Sequence, residues 1–352
     1  MANLNSDTIK MNYIPVPTPI SGGLLLTYKC SATCRHCMYA CSPSWKSDWI
    51  TPDEIRNCLE ILSNKILPSP EGRQNISLNY GLHFTGGEPF LNYNLLLSAI
   101  EIATQMQIPS TFVETNCSWC HSDADTREKL KLLKEKGLRG ILISVNPYYA
   151  EYIPFEYTER CIRISADIFK QNIIIYQMQF YYLFKKMGLT GTLTSEEVLK
   201  IVKHGYNVEL FLSGRATQTL RKYYPAYPAS FYFNQPCRPQ FLRDWHNHFD
   251  NYGNFMPGYC GGISLGDWHK LDELLTRGIN PQKTPILQFF ISDDFAGLYN
   301  FAKELGFEDS SHEYISKCDF CLQMRKYLIS VKKFSELRPH QFYEQLYLSE
   351  ND

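Results

Sequence analysis

What this 352-residue sequence lacks narrows it first. It has no block of basic residues: 35 Lys and Arg are set against 36 Asp and Glu, for a formal net charge of −1. That removes the electrostatic footprint of a nucleic-acid or anionic-membrane binder. It also has no long apolar run. "GLLLTYK" and "NIIIYQMQFYYLF" carry polar interruptions and are too short to span a bilayer. The first residues, "MANLNSDTIKMNYIPVPTP", offer neither a basic n-region nor an apolar h-region, so no secretory signal is expected. Internal repeats and low-complexity tracts are missing too. The expectation is a cytoplasmic chain with neither nucleic acid nor membrane among its partners.

What is present is a large apolar fraction, 44% against 20% charged residues, enough for a sizeable core. Twelve cysteines stand out. Without an export signal they argue for thiol chemistry or metal binding over disulfides.

From about residue 22 to 213 the pattern alternates strand and helix. Strands are expected at Gly22–Lys29, Ser77–Phe84, Thr111–Thr115, Gly140–Val145, Ile173–Tyr182 and Asn207–Leu212. Helix starts lie between them. Thr51-Pro52-Asp53-Glu54 is a capping box with proline at the first helical position, followed by the buried stripe Ile55, Leu59 and Leu62. Thr194 with Glu197 repeats the spacing, and Ser122 with Asp125 is a weaker version. Six βα units predict a parallel sheet, open or partly closed into a barrel, with the site at the carboxyl ends of its strands. After Gly214 the pattern changes. Residues 217–262 are rich in Tyr, Pro, Asn and Gly and contain a hairpin-like "WHNHFDNYGNFMPGYC". Helices are expected near 268–276 and 293–305, followed by "KCDFCLQMRKYL". The expected division is an extension at 1–21, a core at 22–216 and a second region at 217–352.

The first strand runs into "CSATCRHC", so Cys30, Cys34 and Cys37 begin in the loop at the active end of the sheet. A structural zinc needs four ligands, which Cys41 can complete. The C-x3-C-x2-C spacing offers another solution: three thiolates on three irons of a [4Fe–4S] cluster, with one iron left open. "CSATCRHC" resembles the cluster motif of the radical S-adenosylmethionine (radical SAM) enzymes, with His36 as the aromatic-type residue before the third cysteine. "LHFTGGEPFLN" strengthens the resemblance, because Gly86-Gly87-Glu88-Pro89 is similar to that family's motif for the methionine amino group. Glycines permit close backbone approach, and a carboxylate can accept from an ammonium. "FVETNCSW" looks like a variant of the family's Thr-Asn-Gly strand end, with Thr115, Asn116 and then Cys117 in the glycine position. "LISVNP" places Ser144 and Asn146 toward the nucleoside, and "LFLSGRA" offers Arg215 to the methionine carboxylate or to substrate. For these strand-end residues, bonding to loop backbone is an equal alternative.

The resemblance implies a partial (β/α)6 TIM-like barrel, an α/β fold, with a small cysteine-bearing domain behind it. Cys237, Cys260, Cys318 and Cys321 resemble the auxiliary-cluster module (SPASM or Twitch type) that follows many such cores. They imply a second [4Fe–4S] cluster, with tetrahedral zinc as the alternative. Cys58 and Cys161 read as small core hydrophobes, whereas Cys117 and Cys120, at a strand end, are candidate hydrogen-atom donors with Cys41 as a lesser one. The implied chemistry is reductive cleavage of S-adenosylmethionine and removal of a substrate hydrogen atom. Oxidation of a peptide, a protein or a small metabolite would follow, or epimerisation if a cysteine returns hydrogen. The remaining alternative is a non-catalytic metal-binding protein. A reductant such as ferredoxin or flavodoxin is the implied partner. Tyr148, Tyr149, Tyr181 and Tyr182 fall near strand ends without naming a ligand.

Overall fold

A computed structural model of the chain describes residues 13–46, 48–203, 208, 210–309 and 313–348. Its centre is β1 (Ser21–Thr27), buried along its whole length because β2 flanks one edge and β6 the other. A strand covered on both faces has no solvent side to alternate with, hence its unbroken run of Gly and Leu. β2 (Gly81–Gly86), β3 (Phe112–Thr115), β4 (Gly140–Ser144) and β5 (Ile173–Tyr176) continue the sheet in parallel. On the other edge of β1, β6 (Asn247–Phe249) is parallel, and β7 (Asn254–Met256) and β8 (Gly266–Asp267) follow antiparallel. The order is β5-β4-β3-β2-β1-β6-β7-β8.

Local chemistry sets the helix starts as expected. Thr51 Oγ1 accepts from the Glu54 amide at 3.2 Å, and the helix Pro52–Leu62 buries Ile55, Cys58, Leu59 and Leu62. Ser122 accepts from the Asp125 amide at 3.2 Å. At Thr194 the box is reciprocal: Thr194 Oγ1 accepts from the Glu197 amide at 3.3 Å, and Glu197 accepts from the Thr194 amide at 2.7 Å.

The sixfold repeat is not found among the described residues. In the expected strand Asn207–Leu212, Asn207 and Glu209 lie outside the described residues, and Leu210–Leu212 are described without strand pairing. Five βα repeats are followed instead by a sixth parallel strand, β6, from much later in the chain. The fold is an eight-stranded mixed α/β sheet, and barrel closure is not part of it among the described residues. β6 takes the edge of β1, so the division expected at 216/217 runs between strands of one sheet. The strand expected at Ile173–Tyr182 stops at Tyr176, where Gln177 turns left-handed with φ +67°. Helix Met178–Met187 follows and buries Phe180 and Phe184 one turn apart. A short apolar run satisfies both periods, and packing decided between them. The hairpin in "WHNHFDNYGNFMPGYC" is present as β6–β7. No helix of the described residues is long and apolar enough to cross a membrane.

Candidate active site

The parallel strands end around one cavity of about 220 Å³. Its wall is built from the residues that close β2 (Thr85, Gly86, Gly87), β3 (Glu114, Thr115, Asn116), β4 (Ser144, Asn146) and β5 (Tyr176). Cys30, Cys34, Cys37 and Cys41, from the loop after β1, line the same space. The structure therefore collects the three motif cysteines at the carboxyl edge of the sheet.

The cysteine loop is held by Arg215, which is 1% exposed. Its guanidinium donates to the carbonyls of Cys34 (3.0 Å), Ala40 (2.7 Å) and Cys41 (2.9 Å), and its amide donates to the Cys37 carbonyl at 3.1 Å. Arg215 thus fixes the loop's shape, and it is not among the residues that line the cavity. The three thiols differ in environment. Burial raises Cys34 and pushes Cys30 up to about 12. Cys37 is drawn down to about 6 by its hydrogen bond with Cys41, helped by the Arg215 charge. Cys41 is correspondingly raised, and its thiol also faces the Gly86 carbonyl at 3.7 Å. His36 stacks on Tyr148 and meets Tyr149 edge-on, and burial lowers it to about 3.

Gly86 and Gly87 are explained by their own chain. Gly86 has φ +123°, and a Cβ there would run into the Thr27 carbonyl; at Gly87 it would run into the Lys29 carbonyl. These glycines let the end of β2 lie against the start of the cysteine loop, where the Gly87 and Glu88 amides donate to Thr27 and Lys29 at 2.8 and 3.0 Å. Glu88 is fully buried and already engaged. It accepts from the Asn116 amide (2.8 Å), Thr115 Oγ1 (3.0 Å) and the Phe90 amide (3.2 Å). Burial nevertheless raises it to about 7. Its carboxylate ties β2 to β3, while Gly86 and Gly87 face the cavity. Pro89 begins the short helical turn that follows.

Thr115 and Asn116 both line the cavity, and the Asn116 amide group donates to Ser31 Oγ at 3.0 Å and toward Cys30 Sγ at 3.5 Å. Asn146 caps the turn at Tyr148 and Tyr149 and sets its amide 3.3 Å from His36 Nε2. Cys117 has φ +69°, the conformation that glycine supplies most readily. Neither Cys117 nor Cys120 lines the cavity. Their sulfurs lie with that of Cys161 in a fully buried group, all within 4.8 Å of one another. The expected donor role would need these sulfurs to face the cavity, which neither lines. Cys161, read as a core hydrophobe, is part of the same group.

A second cavity is lined by Cys237, Cys260, Cys318 and Cys321 together, with Lys317, Arg325 and apolar Phe241, Phe290 and Phe295 around them. Cys318 and Cys321 face it from the first turns of helix Lys317–Val331, one turn apart. Cys237 precedes the short helix Arg238–Phe241, and Cys260 follows β7. Burial pushes Cys237 up to about 12 and Cys318 to about 11, and neighbouring thiols add to the rise of both. Arg325 is buried and donates to the Gly261 carbonyl at 2.9 Å, beside Cys260.

Three histidines escaped the sequence reading. His83 on β2, His246 just before β6 and His248 on β6 each offer a ring nitrogen within 4.8 Å of the others, and all are buried. The signal was present in "WHNHF", where two histidines stand two residues apart at the start of β6.

The chain matches no protein-family model. It is 28% identical over 129 residues to YydG of Bacillus subtilis (strain 168), a protein provisionally named for peptide biosynthesis. The match spans 36% of this chain and 36% of YydG. Among solved structures, native anSMEcpe with bound AdoMet aligns with 94% of this chain and 99% of its own, at TM-score 0.44 and 12% identity. BtrN in complex with AdoMet and 2-DOIA aligns with 75% and 89%, at TM-score 0.42 and 14% identity. Likenesses at this level define neither a shared activity nor a shared substrate.

Proposed function

We propose that the chain is a radical SAM enzyme that removes a hydrogen atom from a substrate bound over the carboxyl edge of its sheet. The observation that carries this reading is the convergence of Cys30, Cys34 and Cys37 on one cavity also walled by Gly86, Gly87 and Asn116. The donor set suits a [4Fe–4S] cluster and bound S-adenosylmethionine, because Cys30, Cys34 and Cys37 line the cavity, and Cys41, which also lines it, is hydrogen-bonded to Cys37 and faces the Gly86 carbonyl. When bound, the pair supplies a 5′-deoxyadenosyl radical by reductive cleavage of the sulfonium. Arg215 holds the cysteine loop in register, and Asn116, Ser144 and Asn146 offer polar groups to the nucleoside. Tyr149, edge-on to His36, closes the wall and limits water.

The second cavity supports an auxiliary [4Fe–4S] cluster of the SPASM or Twitch kind. Four thiols leave no open ligand position there, which suits electron transfer away from a substrate radical. Lys317 and Arg325 offset the negative charge of bound thiolates. Zinc is the alternative occupant. The outcome we favour is oxidative modification of a peptide or protein side chain, supported by the name of YydG, with a small metabolite as the other class. A ferredoxin or flavodoxin would supply the electron. Epimerisation has one point in its favour, since Cys41 does line the cavity. In deuterated water, deuterium retained at the product carbon identifies hydrogen return, whereas a new unsaturation or bond identifies oxidation.

The deciding experiment is anaerobic reconstitution with iron and sulfide, followed by S-adenosylmethionine and dithionite. Formation of 5′-deoxyadenosine is expected; its absence from a folded, iron-loaded protein would sink the enzymatic reading.

A further inference from the structure

The three buried histidines occupy a place that the proposed radical chemistry does not use. Gly23, at the middle of β1, pairs in register with His83 on β2 and with His248 on β6. A Cβ on Gly23 would run into His83 Nε2 and would lie 2.7 Å from His248 Cδ2. The glycine therefore leaves a slot in the central strand over which the two flanking imidazoles close. His246 joins them from a left-handed turn with φ +53°, its amide donating to Ser21 Oγ at 2.8 Å. Its ring lies 5.1 Å from each of the other two.

His248, His246 and Glu114 are each held by the atom away from the others. His248 Nδ1 is 3.1 Å from the hydroxyl of Tyr39, which itself donates to the Gly258 carbonyl, so the imidazole is the donor in that pair. His246 Nδ1 is 3.1 Å from the Leu78 carbonyl, which can only accept. Both rings therefore carry hydrogen on Nδ1 and a lone pair on Nε2. His83 Nε2 is buried without a hydrogen-bond partner and lies 3.6 Å from Glu114 Oε1. The other oxygen of Glu114 accepts from Thr85 Oγ1 at 2.6 Å. This is the outer-shell pattern that orients metal ligands. Burial favours the neutral, ligating form of each ring, and Arg243 donates to the His246 carbonyl at 2.9 Å.

We propose that His83, His246, His248 and Glu114 form a binding site for a divalent ion of the zinc type, set into the wall of the main cavity and separate from both cysteine sites. Three neutral imidazoles and one carboxylate suit a borderline ion in tetrahedral coordination. Bonds of about 2.0–2.1 Å place ligand atoms roughly 3.3 Å apart. One ring nitrogen of each histidine already lies within 4.8 Å of those of the other two, and Glu114 Oε1 lies 3.6 Å from His83 Nε2. His246, His248 and Glu114 line the cavity, so the ion would present its charge to whatever occupies it. The site does not depend on the radical reading, because its ligands include no cysteine.

The test uses the full chain, reconstituted with iron and sulfide so that the cysteine sites are filled, then given one equivalent of zinc and desalted. X-ray absorption at the zinc edge ignores iron. About one zinc per chain is expected, with a shell of nitrogen and oxygen only at about 2.0–2.1 Å and imidazole scattering beyond it. His246→Asn, which tolerates the left-handed turn, should lower zinc affinity at least about tenfold. Tyr39→Phe, which leaves every ligand in place, should lower it by about 10- to 100-fold. No retained zinc in the wild-type protein, or a sulfur shell at about 2.3 Å, overturns the proposal. So does unchanged affinity in a folded His246→Asn variant. Should that variant misfold, the wild-type spectrum decides alone.

Discussion

The two cysteine regions solve opposite problems. In the first, three motif cysteines come from one loop of the chain, and the cavity they line is shared with polar strand ends from four other strands. In the second, four cysteines come from three distant stretches and are shut in by Lys317, Arg325 and phenylalanines. Each region has one buried arginine clamping backbone beside a cysteine. Arg215 binds three carbonyls of the loop through its side chain, whereas Arg325 binds the Gly261 carbonyl and the Tyr343 hydroxyl. A local ligand set leaves room for a reactant; a ligand set assembled from afar is enclosed by the segments that deliver it.

The sharpest way to break this contrast is to empty each region in turn. The Cys30/Cys34/Cys37→Ala variant should form no 5′-deoxyadenosine above background while keeping about four irons, half of a two-cluster total. Cys237→Ala with Cys321→Ala should lose the other half of the iron and still form 5′-deoxyadenosine. Zinc in place of that second iron set, or loss of 5′-deoxyadenosine in the second variant, would erase the distinction. Next in size are the arginines. Arg215→Met strands three carbonyls and should cost about 3–5 kcal/mol in urea unfolding, against about 2–3 kcal/mol for Arg325→Met. Equal costs would show that the loop is not specially dependent on its clamp.

A smaller effect is pH-dependent. Glu88 is raised from its ordinary 4.5 to about 7 by burial. The folded state then holds a proton that the unfolded chain has released, so stability falls as pH rises from about 4.5 to about 7 and levels off above. Glu88→Gln should flatten that slope in denaturation measured across the range; an unaltered slope would place the titration elsewhere. Smallest is Thr51→Ala, which removes a cap remote from both cavities. It should cost about 1 kcal/mol and leave the iron content of both regions unchanged.

Much of the fold was legible where the signal is local. The helix caps at Thr51, Ser122 and Thr194 depend on residues three apart, and all three are made. Five of the six expected strands are present, with shifted ends. The sixth is not seen among the described residues, and nothing near Val208 or Leu210–Leu212 reveals that β6, some forty residues later, takes a place beside β1. The candidate site shows the same limit. Cys30, Cys34 and Cys37 were found by spacing and do meet at one cavity. Arg215 and Glu88 were found for the right place, and there Arg215 holds carbonyls of the cysteine loop while Glu88 accepts from the Asn116 and Phe90 amides and the Thr115 hydroxyl. His83, His246 and His248 were missed because the gap that unites them is a missing side chain at Gly23, visible only once three strands are in register.

By itself the sequence determined the elements whose contacts lie within a few residues: caps, the buried stripe of each amphipathic helix, the β6–β7 hairpin, and the clustering of thiols after β1. Tertiary structure alone decided which strand completes the sheet. It also decided that Cys117 and Cys120 turn toward Cys161 instead of the cavity, and that His83 and His248 close over Gly23 with His246 beside them. The physical reason is range. Hydrogen bonds of caps and turns are specified by neighbours in the chain, whereas strand order and side-chain meeting points follow from burying apolar faces against partners hundreds of residues away.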